Sequence, residues 1–414
     1  MNRIIMHIDV NNAFLSWTAV YLLKNGSKYD IRDSYAVIGG NERTRTGVVL
    51  AKSTPAKKMG VVTGETLYQA RKKCPALKNY PMNYPFYTTM SKKMFKIISR
   101  YSPDIEVASI DECYLDYTKV KNLYGDPLEF AKKLQREIYD RLGFTVNIGI
   151  ANNKLCAKMA SDFSKPNKIH TLFSNEVEEK MWPLPIEDLF GIGKKSAEKL
   201  RQLNINTIYD LAHADVMKLK KYFKNQSKII IEMANGIDDT LVNTAMVDPK
   251  GISNELTLEQ DVTNIMQLYR HLLYLSEKLG IRLRHQKKYT YVVGVVLKDN
   301  KFKKRSRQKK LVNPTNLSNE IYEVAKDILR EMWDDTPVRL IGIKLDKLVE
   351  KGSHQMSLFD SIKKREDDTE LEKIVDGLKE KYGHKIIRNA SLDESIIDRK
   401  EEVDERLYKV SSNS

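Results

Sequence analysis

Ala108-Ser109-Ile110-Asp111-Glu112-Cys113-Tyr114-Leu115 sets two adjacent carboxylates between two runs that read as β-strand. Upstream, Val107 to Ile110 is mostly apolar; downstream, Tyr114 to Tyr117 alternates apolar and acidic. Neighbouring strand residues point to opposite faces. Asp111 and Glu112 can therefore share a site only at a tight turn or bend between the strands of a hairpin. Two carboxylates beside a buried sheet repel each other unless a cation sits between them, and a hard divalent metal is the natural one. A solvated acidic turn is the plainer alternative for this stretch taken alone.

Upstream of it, Arg3 to Val10 reads as a buried strand whose end carries Asp9, and Phe14, Trp17, Val20 and Tyr21 follow at helical spacing. Tyr35–Ile38 and Val48–Ala51 read as short strands around the polar, basic turn 39–47, and Pro55 suits a short helix capped by Ser53 or Thr54. This stretch has its own punctuation and reads as an inserted subdomain. Pro85–Tyr101 is an amphipathic helix, Pro127–Leu142 another, Phe144–Ile150 a strand, and Asn153–Phe163 a third helix ending before Pro166. Without the insert the order is strand, helix, strand, strand, helix, strand. That is the split βαβ, ferredoxin-like arrangement, an antiparallel sheet with helices on one face. Its strands can bring Asp9, Asp111 and Glu112 to one edge.

Downstream, Gly191-Ile192-Gly193 precedes Lys194, Lys195 and Lys199 at the start of a helix. Such a turn aims backbone N–H groups and a helix N-terminus outward, which suits a phosphate. Residues 244–254 have linker composition. A helix (264–284), a strand (Tyr289–Leu297), a basic strand-like run (301–310), a helix (318–332) and a strand (Val338–Leu345) then make a second α/β unit. The basic run has seven cations in ten residues, among them Lys303, Arg305 and Arg307. That exceeds what edge protection needs and favours tracking of a phosphate backbone. In Gln355-Met356-Ser357-Leu358-Phe359-Asp360 two large apolar residues stand in a polar setting, which suggests a peptide anchor for a partner's pocket. The chain after it is charged, with one helix expected at 369–382.

The chain has 414 residues and a net charge of +15, the balance of a protein that seeks a polyanion, nucleic acid above all. Residues 361–414 hold 12 Lys/Arg against 14 Asp/Glu, so the excess of +17 lies on residues 1–360. The three cysteines form no CxxC, which argues against a zinc site or a disulfide framework and fits a reducing cytoplasm. No apolar stretch reaches membrane-spanning length, and no leader pattern precedes the first strand.

Ile8-Asp9-Val10 leading to Phe14, Ser109-Ile110-Asp111-Glu112, Gly149-Ile150-Ala151-Asn152-Asn153-Lys154, Lys165-Pro166-Asn167 and Gly191-Ile192-Gly193, in this order and spacing, resemble a Y-family translesion DNA polymerase. The resemblance covers residues 1 to about 350, and the long tail looks more like the UmuC-type branch of Gram-positive bacteria than polymerase IV. Gln355, Leu358 and Phe359 resemble the peptide that binds the bacterial sliding clamp. The family implies an α+β multidomain fold. Its parts are a palm (1–12 and 82–172), fingers (13–81), a helix-hairpin-helix thumb (173–243), a linker (244–254), a little finger (255–350) and a tail (351–414).

The same resemblance implies two Mg²⁺ ions held by Asp9, Asp111, Glu112 and the Val10 carbonyl. It makes Phe14 a steric gate against a 2′-OH, with a core aromatic as its plainer role. It gives Ala13 a backbone amide for phosphate, and Thr54, Lys57 and Lys165 contacts to the nucleotide. The commoner pattern has Tyr and Arg where Thr54 and Lys57 stand, and a lysine lacks the bidentate fork of arginine. Lys168 stands where a glycine is usual. Gly191, Gly193, Lys194, Lys195, Lys303, Arg305 and Arg307 would hold DNA without reading sequence. His7 and Cys113 read as packing residues. The implied partners are primer-template DNA, a dNTP, the sliding clamp and accessory proteins of the SOS response, for a monomeric, cytoplasmic, nucleoid-associated enzyme of low fidelity. A nucleotide cyclase shares the palm and its acids, but it needs neither the basic second unit nor the Gly-x-Gly turn. A non-catalytic DNA- or clamp-binding derivative would not need all three acids.

Overall fold

The computed structural model describes residues 3–41, 45, 47–245, 248–350, 362–383, 386, 387, 389 and 390. They belong to two compact units, one drawn from residues 1–40 and 48–246, the other from 41–47 and 247–412. The strands, in chain order, are β1 (Ile5–Val10), β2 (Ala36–Gly39), β3 (Val49–Lys52), β4 (Lys78–Tyr80), β5 (Ile105–Val107), β6 (Glu112–Asp116), β7 (Val146–Ala151), β8 (Ile169–Leu172), β9 (Gly251–Val262), β10 (Tyr289–Asp299), β11 (Lys304–Thr315) and β12 (Val338–Val349).

In the first unit the main sheet runs β5-β6-β1-β7-β8. β1 is central and antiparallel to both β6 and β7. Without β8 this is the ferredoxin-like order expected from the sequence. β8 pairs parallel with β7 and was not foreseen, because Ile-His-Thr-Leu is short and buries only Leu172. Met6, Ile8, Val10, Cys113, Leu115, Ile148 and Ile150 share one core with the helices Tyr84–Ile98 and Pro127–Leu142. The second of these helices starts where Asp126 accepts from the N–H groups of Leu128 and Glu129, and stops at Gly143, whose φ is +81°. It buries Phe130, Leu134, Ile138 and Leu142 on one stripe, each burial worth roughly 1.5–3 kcal/mol.

The sheet's other face is covered too, which corrects the expectation of helices on one face only. The helix Lys154–Asp162 packs on β1 and β7. Gly149 makes the approach possible, since a Cβ there would lie 2.0 Å from the Ala157 carbonyl oxygen. β2, β3 and β4 form the small sheet β3-β2-β4, and Val37, Val49, Leu67 and Cys74 belong to a core of their own beside it. Short helices between Val177 and Ala234 bury Ile186, Leu189, Leu200, Ile208 and Leu211 together.

The second unit is an antiparallel sheet, β11-β10-β12-β9, whose core it shares with the helices Ile265–His285 and Ser318–Met332. β9 starts at Gly251, so residues 251–254 are strand and the linker is shorter than 244–254. Gly-Ile-Ser-Asn shows no apolar alternation; backbone pairing with β12 makes it a strand. The last described helix is Ile362–Tyr382, longer at its start than the expected 369–382. No helix among the described residues is long and apolar enough to cross a membrane.

Candidate active site

Asp9 and Glu112 are direct register partners across β1 and β6. Opposed residues of an antiparallel pair leave the same face of the sheet. Asp111 precedes β6 and lies in the hairpin turn. There Ser109 Oγ donates to Asp111 Oδ1 at 2.6 Å and accepts from the N–H groups of Asp111 at 3.2 Å and Glu112 at 3.1 Å. The Val10 N–H donates to the Asp111 carbonyl at 3.1 Å, tying the turn to the end of β1. The problem posed by strand alternation is solved in this way: one acid pairs across the sheet, and the other sits off the strand.

Cations meet these acids from the helix Lys154–Asp162 and the loop after it. Lys158 Nζ donates to Glu112 Oε1 at 2.9 Å and stands 3.4 Å from Asp162 Oδ2. Lys165 pairs with Asp9 and, at 2.8 Å, with Asp162. Asn147, fully buried on β7, holds the loop that carries Lys165. It donates to the carbonyls of Ser161 at 2.8 Å and Ser164 at 2.7 Å, and accepts from the Lys168 N–H at 3.1 Å. Asn11 Oδ1 accepts from the Asn167 N–H at 2.8 Å. His7, fully buried, hydrogen-bonds Ser161 Oγ through Nδ1 at 2.8 Å, and its Nε2 lies 3.6 Å from Glu112 Oε2.

Burial pushes the Asp9 carboxyl above its ordinary range despite Lys165. The His7 ring edge, 3.6 Å away, and after it the Lys158 ammonium hold Glu112 down to about 2 against the cost of its burial. Burial opposes the charge of both Lys158 and Lys165, but their acidic partners outweigh it and raise both. The donor set of Asp9, Glu112 and the adjacent Asp111 is all hard oxygen and fits Mg²⁺. The charges that an ion would balance are balanced by Lys165 and Lys158. Among the described residues no three such side chains stand together around one point as placed.

Phe14 lies half-buried in the first turn of the helix Ala13–Lys24, stacked on Tyr87 with ring centroids 5.0 Å apart. Ala13 is buried beside it. Thr54 and Lys57 are exposed on the helix Thr54–Lys58, which Ser53 caps by accepting from the Ala56 N–H. The Asn12 side chain donates to the Lys52 carbonyl at 2.6 Å, so this small subdomain is tied to the turn that follows Asp9.

Gly191, at φ +90°, and Gly193 lead into the helix Lys194–Arg201, with Lys194 and Lys195 exposed at its start. In the second unit Lys303 is exposed in the turn before β11. Arg305 is half-buried and Arg307 is exposed, and both are engaged by acids. They pair with Asp334 at 2.7 Å and Glu331 at 2.9 Å, acids at the end of the helix Ser318–Met332. Gln355, Leu358 and Phe359 lie outside the described residues. Lys158, Asp162 and Asn147 were missed in the sequence, where a lysine and an aspartate four apart on a helix look like a solvated face.

A sheet that presents paired carboxylates at one end, joined to a helical Gly-x-Gly module and a basic second unit, defines a template-directed nucleotidyltransferase. Models of the impB/mucB/samB family match residues 8–162 and, for its C-terminal domain, 249–358; the IMS family HHH motif matches 174–205. The chain is 45% identical over 393 residues to DNA polymerase IV of Clostridium acetobutylicum, covering 95% of this chain and 98% of that protein. It is 36% identical over 392 residues to DNA polymerase IV of Oceanobacillus iheyensis, covering 93% and 91%. A solved Y-family DNA polymerase chimera of Dbh and Dpo4 superposes with a TM-score of 0.73 at 26% identity, over 84% of this chain and all of that one. An insertion ternary complex of Dbh DNA polymerase superposes with a TM-score of 0.56 at 26% identity, with the same coverage. The chain belongs to the Y family of DNA polymerases, and it is a DNA polymerase of the translesion class. Both of these relatives bear the polymerase IV name.

Proposed function

We propose that the protein extends a primer 3′-OH opposite damaged template by two-metal catalysis, with Asp9, Asp111, Glu112 and the Val10 carbonyl holding two Mg²⁺ ions. The observation that carries this is the direct opposition of Asp9 and Glu112 on one face, with Asp111 in the adjoining turn. Ions held by these residues would supply Lewis-acid chemistry at the 3′-OH and the triphosphate. The chain's own residues position the reactants, which in-line displacement needs more than covalent chemistry. Phe14 presents its ring to the sugar. The Ala13 amide, Thr54, Lys57 and Lys165 receive the triphosphate. Lys165 is two-fifths exposed on a loop, and it exchanges Asp9 for phosphate when nucleotide enters. Residues 1–12 and 82–172 act as palm, 13–81 as fingers, 173–243 as thumb and the unit from β9 to β12 as little finger. The Gly191–Lys195 turn and β11 hold the duplex, and Gln355, Leu358 and Phe359 anchor the enzyme to a sliding clamp during damage tolerance.

One primer-extension series on lesion-containing template, with and without clamp, tests the whole reading. Asp111→Ala and Glu112→Ala lose at least about 10³-fold in kcat, the scale of several kcal/mol of lost transition-state stabilisation. A variant carrying Leu358→Ala with Phe359→Ala keeps basal extension and loses stimulation by clamp. Appreciable extension by either acid variant sinks the metal assignment; full stimulation of the double variant sinks the anchor.

A further inference from the structure

Lys158 has no part in the roles set out above, yet it is the most deeply placed cation of the site. Its side chain is 11% exposed, against 40% for Lys165. A lysine bears a strongly hydrated charge, and burying it costs more than it returns unless its partner is held in good geometry. A cation kept only for packing would be better replaced by an apolar residue.

The geometry around it is fixed from three sides. The helix Lys154–Asp162 lies directly on β7 because Gly149 has no side chain. Lys158 Nζ takes Glu112 Oε1 at 2.9 Å, with Asp162 as its second carboxylate at 3.4 Å. Ser161 Oγ donates to the Lys158 carbonyl at 2.8 Å and engages His7 Nδ1 at 2.8 Å. That turns His7 Nε2, fully buried and without a hydrogen bond, toward Glu112 Oε2 at 3.6 Å. The separation is too long for a hydrogen bond. One oxygen of Glu112 is thus held by the helix through Lys158, while the other faces His7 Nε2 at 3.6 Å.

We propose that Lys158 is a positioning residue for Glu112 in the polymerase reaction. It fixes the carboxylate at the end of β6 by one oxygen and leaves the second for the reaction. Lys165 sits on a loop and is free to leave its acid, whereas Lys158 stays. The proposal rests on the assignment of Glu112 to the metal site.

The test is steady-state extension on primer-template by Lys158→Met, Lys158→Arg and Glu112→Gln. Alongside it, Mn²⁺ affinity of each protein–DNA complex is measured by electron paramagnetic resonance, and folding by circular dichroism. In Lys158→Met, kcat falls about 10–100-fold, the usual cost of losing a residue that orients a metal-holding side chain. KM for dNTP stays within about twofold, since Lys158 touches no nucleotide-binding residue. Mn²⁺ binds more tightly, because a competing cation has gone. Lys158→Arg recovers part of kcat. A residue that merely held the fold would weaken catalysis and metal binding together. Unchanged kcat in folded Lys158→Met, or a raised KM with kcat intact, overturns the proposal. Should Lys158→Met not fold, Lys158→Gln is judged by the same outcomes. Full activity in Glu112→Gln would instead overturn the metal assignment itself.

Discussion

Phe14 shows how much one side chain depends on what stands behind it. Its ring lies 15° from parallel with Tyr87, and the Tyr87 hydroxyl is 2.6 Å from Thr18 Oγ, one turn further along the same helix. The ring cannot retreat without moving a fully buried tyrosine. A wall of this kind discriminates by excluding an added hydroxyl. Phe14→Ala therefore raises ribonucleotide incorporation relative to deoxyribonucleotide by up to about 10²-fold, the scale on which an apolar wall rejects an added hydroxyl. Competition between rNTP and dNTP in single-nucleotide extension measures it; an unchanged ratio reduces Phe14 to packing. Asp9, Asp111 and Glu112 stand out in the sequence as acids at a strand end and a hairpin turn, whereas the gate role of Phe14 comes only from the family resemblance. Which of the adjacent acids faces Asp9 was not legible. That depends on the β1–β6 register and on the Ser109 turn. Lys158 was hidden because only the packing of its helix onto the sheet buries it; Asp162 stays exposed and shows its part only through its ion pairs with Lys158 and Lys165.

At the scale of the element, β11 was legible as a basic strand, but not which of its sides is free. β10 sets the answer. Val293, Val295 and Leu297 belong to the helix-side core, and their partners on β11 are Lys309, Arg307 and Arg305. The arginines meet Glu331 and Asp334 there. Those acids come from another element, so no reading of the strand alone finds them. Ser306, Gln308 and Lys310 face the other way, opposite Val296, Gly294 and Val292. This open side is the one that suits a duplex. Each phosphate contact adds about 0.9 to the salt slope of binding. Lys310→Ala lowers that slope by about one contact, whereas Arg305→Ala leaves it unchanged and lowers the thermal stability of the second unit. Fluorescence anisotropy with labelled primer-template across a salt series reads both. The opposite pattern would show that the arginines leave their acids to grip DNA.

At the scale of the whole molecule the charge divides the chain in two, a body that seeks a polyanion and a tail that does not. The tail helix carries apolar residues at helical spacing, Leu371, Ile374, Val375, Leu378 and Tyr382, yet Leu371, Ile374 and Tyr382 stay exposed. The structure docks the helix Ile362–Tyr382 by charge, through Glu372, Asp376 and Lys379, spaced along one side. Asp376 makes a fork with Arg284, at 2.6 Å to Nε and 2.9 Å to Nη2. Glu372 pairs with the same guanidinium and accepts from the Ser318 N–H at 2.9 Å, at the start of a helix whose N-cap, Leu317, offers no side-chain acceptor. Lys379 stands 3.7 Å from Glu277. Arg284 is 8% exposed, so removing its acids leaves a nearly buried cation short of partners. Glu372→Ala and Asp376→Ala each destabilise the second unit by about 1–3 kcal/mol, the cost of an unmet buried partner. Urea unfolding followed by circular dichroism gives the shift in midpoint, and hydrogen exchange over 362–382 locates it. The salt slope of primer-template binding stays unchanged in both variants, because the docked face holds no phosphate contact. A tail that binds only elsewhere would instead leave the midpoint and the exchange pattern untouched.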